Sequence, residues 1–351
     1  MIFVTGGAGF IGSNFILNWL NLKNEPVLNI DALFYAGNLE NLKSVENNLN
    51  YKFIKGNIGD KNLIDSLFKE YQPRAVIHFA AQSHVDRSIH SPKEFIETNI
   101  FGTFQLLESA RNYYENLNQN NKENFRFLHV STDEVYGSLE LNAPSFTENH
   151  QYQPNSPYSA SKAASDHLVR AWFHTYHLPV LTSNCSNNYG PFQFPEKLIP
   201  LVILNALNNK KLPIYGDGKQ IRDWLYVVDH CNALMAILEK GILGQTYNIG
   251  GESEKTNLEI VENICSILDE LKPKETSYKN QIQFITDRPG HDRRYAMNIN
   301  KIKKELNWKP QENLKSGLNK TIRWYLNNNE WIHNVQNGNY REWVQKHYDS
   351  N

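Results

Sequence analysis

The first twelve residues of the chain, Met1–Gly12 (MIFVTGGAGFIG), decide its fold class. The apolar run Met1–Thr5 predicts a buried strand, and glycines at positions 6, 9 and 12 lead from it directly into a helical pattern of apolar residues. Glycines at this spacing permit a tight turn, close approach of a pyrophosphate to backbone N–H groups, and close packing of the helix on the strand. The stretch therefore predicts a dinucleotide site at the start of a parallel sheet.

A carboxylate at the end of the second strand indicates which dinucleotide is bound. The strand Val27–Ile30 is followed by Asp31, which lies about twenty residues beyond the glycines. An acidic side chain at this position accepts hydrogen bonds from the ribose hydroxyls and repels a 2′-phosphate. We therefore predict NAD rather than NADP.

Strands and helices then alternate along the chain. Apolar strand patterns at 51–54, 75–79, 125–130 and 180–183 are separated by helical patterns. Such alternation predicts an α/β fold with a Rossmann-type doubly wound parallel sheet. One of the intervening patterns predicts a long helix from about Pro92 to Tyr114.

The composition of the sequence changes after residue 190, where aromatic, proline-interrupted and basic stretches replace the strand–helix alternation. We predict an NAD-binding domain over 1–190, to which 225–250 returns, and a smaller interleaved C-terminal substrate-binding lobe formed by 191–224 and 251–330. Residues 331–351 are predicted to form a C-terminal tail.

Composition restricts the possible partners. The 351 residues carry a net charge of −1, so no bulk field draws the chain to nucleic acid or to an anionic membrane. Cys185, Cys231 and Cys265 lack metal-like spacing, and their odd number argues against a disulfide framework, so we expect buried thiols in a reducing compartment. With no signal-like or membrane-spanning stretch, the expected location is cytoplasmic.

The candidate chemistry lies at the end of the 125–130 strand and in the helix that follows. Asp133 and Glu134 come directly after this strand, and Tyr158 and Lys162 share one helix face because they are four residues apart. Pro157 predicts the start of this helix, with the serines at 159 and 161 as candidate caps. An ammonium beside the phenol is expected to lower its pKa from about 10 and make it a usable base.

Together these motifs resemble the nucleotide-sugar branch of the extended short-chain dehydrogenase/reductase superfamily, and within it the 4,6-dehydratases that act on dTDP-glucose. The resemblance extends from Met1 to about Trp308. The Asp133–Glu134 pair is its most specific part, since sugar 4-epimerases of this fold have non-acidic residues there. The other matching stretches are Ala80–Ser88, Asn187–Pro191, Phe194–Pro200, Arg222–Trp224 and Asp287–Asp292.

The resemblance implies oxidation at C4 by NAD, loss of water across C5–C6, and return of the hydride to C6. Tyr158, supported by Lys162, is implied to remove the 4-hydroxyl proton. Glu134 is implied to take the C5 proton, Asp133 to protonate the departing C6 hydroxyl, and Thr132 to bind the sugar. Because one carboxyl must act as a base and the other as an acid, their mutual repulsion is expected to raise one of the two pKa values.

The resemblance also implies binding residues, with no metal. Those for NAD are Gly6, Gly9, Phe10, Ile11, Gly12, Asp31, Asn57, Ile58, Ala80, Ala81, Thr98, Tyr158, Lys162 and Asn188. Those for the nucleotide sugar are Ser83, Thr132, Asn187, Lys197, Leu198, Pro213, Tyr215, Arg222, Asn257, Arg288 and His291. Asn57 is a departure, since the family usually has Asp there to accept from the adenine amine; an amide oxygen also accepts this bond.

Several alternatives remain open at this point. They are a UDP-glucose 4,6-dehydratase, a 4-epimerase, a sugar-uronate decarboxylase and a non-catalytic NAD-binding protein. For Arg222 and Arg288 the alternative is an ion pair with the aspartate beside each. A homodimer is expected from the resemblance, and its interface or the core accounts for Phe101, Phe104, Leu107, Leu168 and Trp172.

Overall fold

The computed structural model describes residues 1–287 and 292–336. The strands of this part of the chain are β1 (Ile2–Thr5), β2 (Val27–Asp31), β3 (Tyr51–Lys55), β4 (Ala75–His78), β5 (Arg126–Thr132), β6 (Val180–Cys185), β7 (Asn187–Tyr189), β8 (Leu212–Tyr215), β9 (Ile221–Tyr226), β10 (Thr246–Ile249), β11 (Glu254–Thr256) and β12 (Ile282–Ile285). Its α-helices are α1 (Phe10–Leu22), α2 (Lys61–Tyr71), α3 (Val85–His90), α4 (Pro92–Phe95), α5 (Thr103–Glu115), α6 (Gln119–Asn124), α7 (Pro157–Tyr176), α8 (Leu198–Leu207), α9 (Val227–Lys240), α10 (Asn257–Leu271), α11 (Asn300–Leu306), α12 (Leu314–Asn327) and α13 (Asn329–Gln336).

The main sheet has seven strands in the order β10-β6-β5-β4-β1-β2-β3. Every neighbouring pair in it is parallel, as the alternating pattern predicted. The strand order reverses between β1 and β4, and ligands of such sheets bind at the carboxyl ends of the strands beside this reversal. The fold therefore places a crevice beside the glycine-rich turn that follows β1.

Helices cover both faces of the sheet because its strands are apolar on both sides. Ile2 and Val4 of β1 belong to a core cluster that also contains Trp19 of α1. Phe3 points the other way and lies 5.2 Å, between ring centroids, from Phe68 of α2. The strand thus contributes to two separate cores.

A second lobe has its own core. β7, β9 and β11 form a three-stranded sheet, and β8 pairs with β12 in parallel. Residues of α8, α10 and α12 pack together with these strands around a cluster of buried apolar side chains. β10, which lies between the two parts of this lobe in the sequence, pairs with β6 of the main sheet.

The long helix predicted from about Pro92 to Tyr114 is present, but its middle, Ile96–Gly102, has π-helical rather than α-helical geometry. Asn99, in that segment, accepts from the Gln82 N–H at 2.8 Å and donates to the Gln82 carbonyl at 3.0 Å. These bonds attach the widened turn to the loop after β4. Single π turns of this kind are frequent at functional sites.

Two of the side chains offered for an interface belong to the core. Leu107 of α5 is fully buried and Trp172 of α7 is only 8% exposed, because both belong to the core cluster that also contains residues of α2. Phe101, by contrast, is 54% exposed. In the part of the chain that is described, no helix is both long enough and apolar enough to cross a bilayer.

Candidate active site

A cavity lies at the carboxyl ends of the central strands. Every residue predicted to bind NAD lines it, from Gly6 to Asn188. The five predicted catalytic residues line it as well: Thr132, Asp133, Glu134, Tyr158 and Lys162. The fold thus brings the cofactor and catalytic predictions into one space.

The turn after β1 is shaped for close approach of an anion. Gly6 has a φ of +72°, and a Cβ on it would lie 2.5 Å from the Ala80 nitrogen, so only glycine fits. Gly9, at the start of α1, makes no side-chain cap, and the first turn of α1 has no acidic residue. The N-terminus of α1 therefore offers its positive end to a diphosphate without competition from the chain.

Asp31 is oriented by the backbone around it. Its carboxylate accepts from the N–H groups of Ala8, at 2.9 Å, and Leu33, at 2.8 Å. Burial raises the pKa of this carboxyl above its usual value, and the two N–H groups counteract the increase. A fixed carboxylate lining the cavity at the end of β2 fits the ribose of NAD.

The Asn57 amide is partly engaged within its own loop. Its Oδ1 accepts from the Gly59 N–H at 2.8 Å, forming a local turn that orients the side chain. One lone pair of this oxygen remains for an adenine amine. The residues of this half of the cavity therefore fit NAD.

The N-cap of helix α7 lies three residues before the first of its predicted caps. The N-cap is Ser156, whose Oγ accepts from the Ser159 N–H at 3.0 Å, while the Ser159 hydroxyl accepts from the Ser156 N–H at 3.0 Å. This reciprocal pair is a capping box, and Pro157 occupies the first helical position. The prediction of Ser159 or Ser161 as the cap was wrong because the Ser161 hydroxyl instead donates to the Tyr158 carbonyl inside the helix.

Tyr158 and Lys162 are both buried on one face of α7. The Lys162 ammonium donates to the Val130 carbonyl at 3.0 Å, and burial lowers its pKa. The pKa of Tyr158 is raised well above its usual value, chiefly by burial and then by the charges of Glu134, Cys185 and Asp133. The expectation that the ammonium lowers this pKa was therefore wrong for the protein alone, since desolvation outweighs that attraction.

The acidic pair lies on a 3₁₀ turn, Asp133–Tyr136, directly after β5. Thr132 caps this turn by accepting from the Glu134 N–H at 3.3 Å, and Gly137 ends it with a φ of +85°. Asp133 is only 2% exposed, and its pKa is raised well above the usual range by burial and then by Glu134. The raised pKa favours the protonated form of one carboxyl of the pair, and the contribution of Glu134 agrees with the expectation from their repulsion.

The predicted sugar-nucleotide residues divide into three groups. Ser83, Thr132, Asn187 and Lys197 line the cavity. Arg288 and His291 lie outside the residues that the structure describes. Five others are not in the lining of the cavity as far as the chain is described: Leu198, Pro213, Tyr215, Arg222 and Asn257.

Arg222 nevertheless acts on the acidic pair. Its guanidinium donates to the carbonyls of Ile221 and Asp292 and stacks 4.4 Å from the centre of the Tyr295 ring. Its positive charge opposes the rise in the pKa of Asp133. The neighbouring carboxylate of Asp223 accepts from two backbone N–H groups of the 251–253 loop.

Some residues of the site were assigned no role from the sequence, although Phe194 and Arg87 lie in stretches that carry the resemblance. Tyr35 and Phe194 line the cavity and contact each other, with ring centroids 5.1 Å apart. The Arg87 guanidinium lies 3.9 Å from the centre of the Tyr35 ring. Asp166, which contacts β5 beneath the cavity, carried only the weak signal of lying four residues after Lys162.

The comparisons with known proteins agree with one another. A family model described as GDP-mannose 4,6 dehydratase matches residues 3–321. A dTDP-glucose 4,6-dehydratase of Shigella flexneri is 56% identical over 356 residues, which cover 99% of each chain. The dTDP-glucose 4,6-dehydratase of Bacillus anthracis, solved with NAD, has a TM-score of 0.85 at 46% identity over 95% of this chain and 99% of its own. That of Streptomyces venezuelae has a TM-score of 0.86 at 42% identity over 95% of this chain and 99% of its own.

A doubly wound sheet with a tyrosine and a lysine four residues apart at its carboxyl edge is the arrangement of the short-chain dehydrogenases/reductases. The match at 56% identity runs through nearly the whole chain. The chain belongs to the dTDP-glucose 4,6-dehydratase family.

Proposed function

We propose that this protein is an NAD-dependent hydro-lyase that converts dTDP-glucose to dTDP-4-keto-6-deoxyglucose and water. The observation that supports this most strongly is the placement of Asp133 and Glu134 in the same cavity as Tyr158. Loss of water from a sugar requires a base and an acid, and two adjacent carboxyls with different protonation supply both.

Each catalytic side chain has a defined role in this proposal. Tyr158 accepts the proton of the 4-hydroxyl while C4 is oxidised to a ketone. The ketone acidifies the C5 proton, which Glu134 removes, and Asp133 gives its proton to the departing C6 hydroxyl. Glu134 then returns a proton to C5. Lys162 keeps a positive charge near the Tyr158 phenol, and Thr132 orients the acidic turn and the sugar.

NAD supplies the hydride acceptor at C4, the hydride donor at C6, and the positive charge of its oxidised form. The residues that bind it are those that line the strand-end half of the cavity, with Asp31 on the ribose and the N-terminus of α1 on the diphosphate. We assign 1–190 and 225–250 to this NAD-binding domain, and 191–224 and 251–330 to the nucleotide-sugar lobe.

The acid pair favours a dehydratase over a 4-epimerase, because an epimerase needs no proton donor for a leaving hydroxyl. The nucleotide preference is tested by incubating the purified protein, without reductant, with dTDP-glucose and separately with UDP-glucose. We expect a product that has lost one water, formed faster from dTDP-glucose. A product of unchanged mass with inverted C4 would assign an epimerase, and faster turnover of UDP-glucose would reassign the nucleotide.

We further propose that the protein is a cytoplasmic homodimer. Exposed apolar side chains on adjoining helices support a dimer, among them Ile96 and Phe101. The three cysteines are buried free thiols, which suits a reducing compartment.

A further inference from the structure

One face of α7 carries a third buried polar residue. Tyr158, Lys162 and Asp166 are spaced four residues apart, so they lie above one another on the helix. The Asp166 carboxylate accepts from His129 Nε2 at 3.0 Å and from the Ser131 hydroxyl at 2.9 Å. Asp166 is therefore bonded to the strand that leads into the acidic turn.

The contacts between α7 and β5 are consecutive along the strand. His129 and Ser131 bond to Asp166, and Val130 between them accepts from Lys162. Thr132 and the acidic pair follow immediately. Three successive strand residues are thus attached to two helix residues one turn apart, which fixes Tyr158 on α7 relative to the acidic pair that follows β5.

We propose that Asp166 is a positioning residue whose carboxylate keeps Lys162 protonated and fixes the end of β5 that carries Thr132, Asp133 and Glu134. This inference rests on the proposed function, because the reaction needs a charged Lys162 beside Tyr158.

The ionisation of the surrounding groups supports a charged Asp166. Burial raises its pKa to about 6, and the attraction of Lys162 and the hydroxyl donors Ser131 and Tyr152 counteract this increase. Its negative charge opposes the fall in the pKa of Lys162. The other titratable groups that face these two side chains are His78 of β4, His129 of β5, Cys185 of β6, Tyr136 and Tyr152 before α7, and Tyr158 and His167 of α7 itself.

Most of those groups are neutral near pH 7. Burial lowers the pKa of His78 and His129 and raises that of Cys185, Tyr136 and Tyr152. His129 is consequently a neutral imidazole, and we assign its proton to Nε2, the nitrogen that faces the carboxylate. The negative charge beside Lys162 at neutral pH is then that of Asp166.

The variant Asp166→Asn removes this charge while its contacts remain possible. The amide oxygen takes the position that accepts from Ser131 and Tyr152. The amide nitrogen then faces His129 Nε2, which accepts if the proton moves to Nδ1. Nδ1 is buried and makes no hydrogen bond within the described residues, so the other tautomer breaks no bond.

The test is the pH dependence of kcat for water loss from dTDP-glucose. In Asp166→Asn, Lys162 loses its proton more readily. The alkaline limb of the profile, which is the fall of kcat at high pH, is therefore expected to move about one pH unit lower. Ser131→Ala keeps the charge but loses one strand contact, so kcat should fall without movement of that limb. Asp229→Asn is the matched control, since Asp229 is a buried carboxylate that accepts from the Glu312 N–H elsewhere in the fold. It should leave the profile unchanged.

A uniform fall of kcat in Asp166→Asn with an unmoved alkaline limb would overturn the inference while leaving the proposed function intact. No turnover by the wild-type protein would instead overturn the proposed function. A readout without substrate or cofactor distinguishes the two cases: the unfolding midpoint of Asp166→Asn should rise relative to wild type between pH 4 and pH 6. The difference should then level off above pH 6, where Asp166 is charged in the folded protein. A difference that keeps rising above pH 7 would show that Asp166 carries no charge in the folded protein and would overturn the inference.

A second variant covers the case in which Asp166→Asn does not fold. Tyr152→Phe removes one hydroxyl donor to the carboxylate, and this donor favours its charged form. The pKa of Asp166 then rises, and the acid limb of the profile is expected to move to higher pH. An unmoved acid limb in this variant contradicts the inference.

Discussion

Asp133 and Tyr158 share an environment that favours the protonated form of each side chain, although their proposed tasks are opposite. Burial and the adjacent carboxyl raise the pKa of Asp133, which suits a proton donor. Burial also raises the pKa of Tyr158, which opposes its proposed task as a base. A positive charge in the cavity, such as that of oxidised NAD, would favour the phenolate.

Separate variants should therefore stop the reaction at separate steps. Asp133→Asn retains an acceptor for the Thr132 hydroxyl but has no acidic proton for the leaving group, so C4 oxidation proceeds and water loss slows by about 10²–10⁴-fold. Bound NADH absorbance should accumulate. Tyr158→Phe should show neither NADH nor product, and the reverse pattern would exchange the two roles.

Glu134→Gln tests the proposed base for C5. An amide cannot accept the C5 proton, so kcat is expected to fall by about 10²–10⁴-fold while NAD remains bound. Product formation followed by mass spectrometry measures the loss. Turnover equal to wild type would exclude Glu134 as the base.

Asp166→Asn also makes a prediction for stability. A carboxyl whose pKa rises from 3.8 to about 6 on folding stabilises the folded protein below pH 4, and this contribution disappears as pH rises through 6. Asp166→Asn has no carboxyl to titrate at this position, so its stability does not fall for this reason. Between low pH and pH 6 its free energy of unfolding should therefore increase by about 3 kcal/mol relative to that of the wild type. Urea unfolding at pH 4 and pH 7 measures the difference. An equal difference at both pH values would contradict it.

Spacing in the sequence predicted that the glycine-rich turn, Asp31, the acidic pair and the Tyr158–Lys162 pair meet in the cavity, because it placed them at the ends of parallel strands and on one helix face. The other predicted lining residues were assigned only from the family resemblance. The sequence could not predict the direction of the Tyr158 pKa, because that depends on how completely the phenol is desolvated. The contact of Asp166 with Ser131 was also missed, since residues 35 positions apart share no local pattern.

At the scale of the element, α7 connects helix stability to chemistry, because its first turn carries Tyr158. Ser156→Ala removes the cap and should lower the free energy of unfolding by about 1 kcal/mol. It should also lower kcat, since the turn that presents the phenol frays. Asn313 caps α12 in the other lobe in the same way, so Asn313→Ala is the matched control. Equal kcat values for the two variants would separate the cap from catalysis.

Helix periodicity predicted α5 but not the π segment before it. The segment depends on Asn99, whose amide binds the Gln82 backbone and donates to the Ser161 hydroxyl of α7 at 2.8 Å. These partners come from distant parts of the chain, so an apolar repeat contains no sign of them. Sequence patterns thus give the position of this helix but not the π-helical geometry of its middle.

At the scale of the whole molecule, the proposed dimer makes a direct prediction. Phe101→Glu places a charge in the exposed apolar surface of the π segment and should convert a dimer to a monomer in light scattering. Phe284→Glu is the matched control, because Phe284 is also 54% exposed but lies in β12 of the other lobe. Monomeric wild-type protein, or dissociation by both variants, would contradict the assignment of this surface.

The central claim is that one bound NAD carries a hydride from C4 to C6 of the same sugar. The measurement is turnover of dTDP-glucose carrying deuterium at C4, without added reductant, with the product analysed by mass spectrometry and NMR. We predict a product that has lost one water, retains the deuterium at C6 and leaves no net NADH. Deuterium retained at C4 in a sugar of unchanged mass, or a product with no deuterium at C6, would contradict the account.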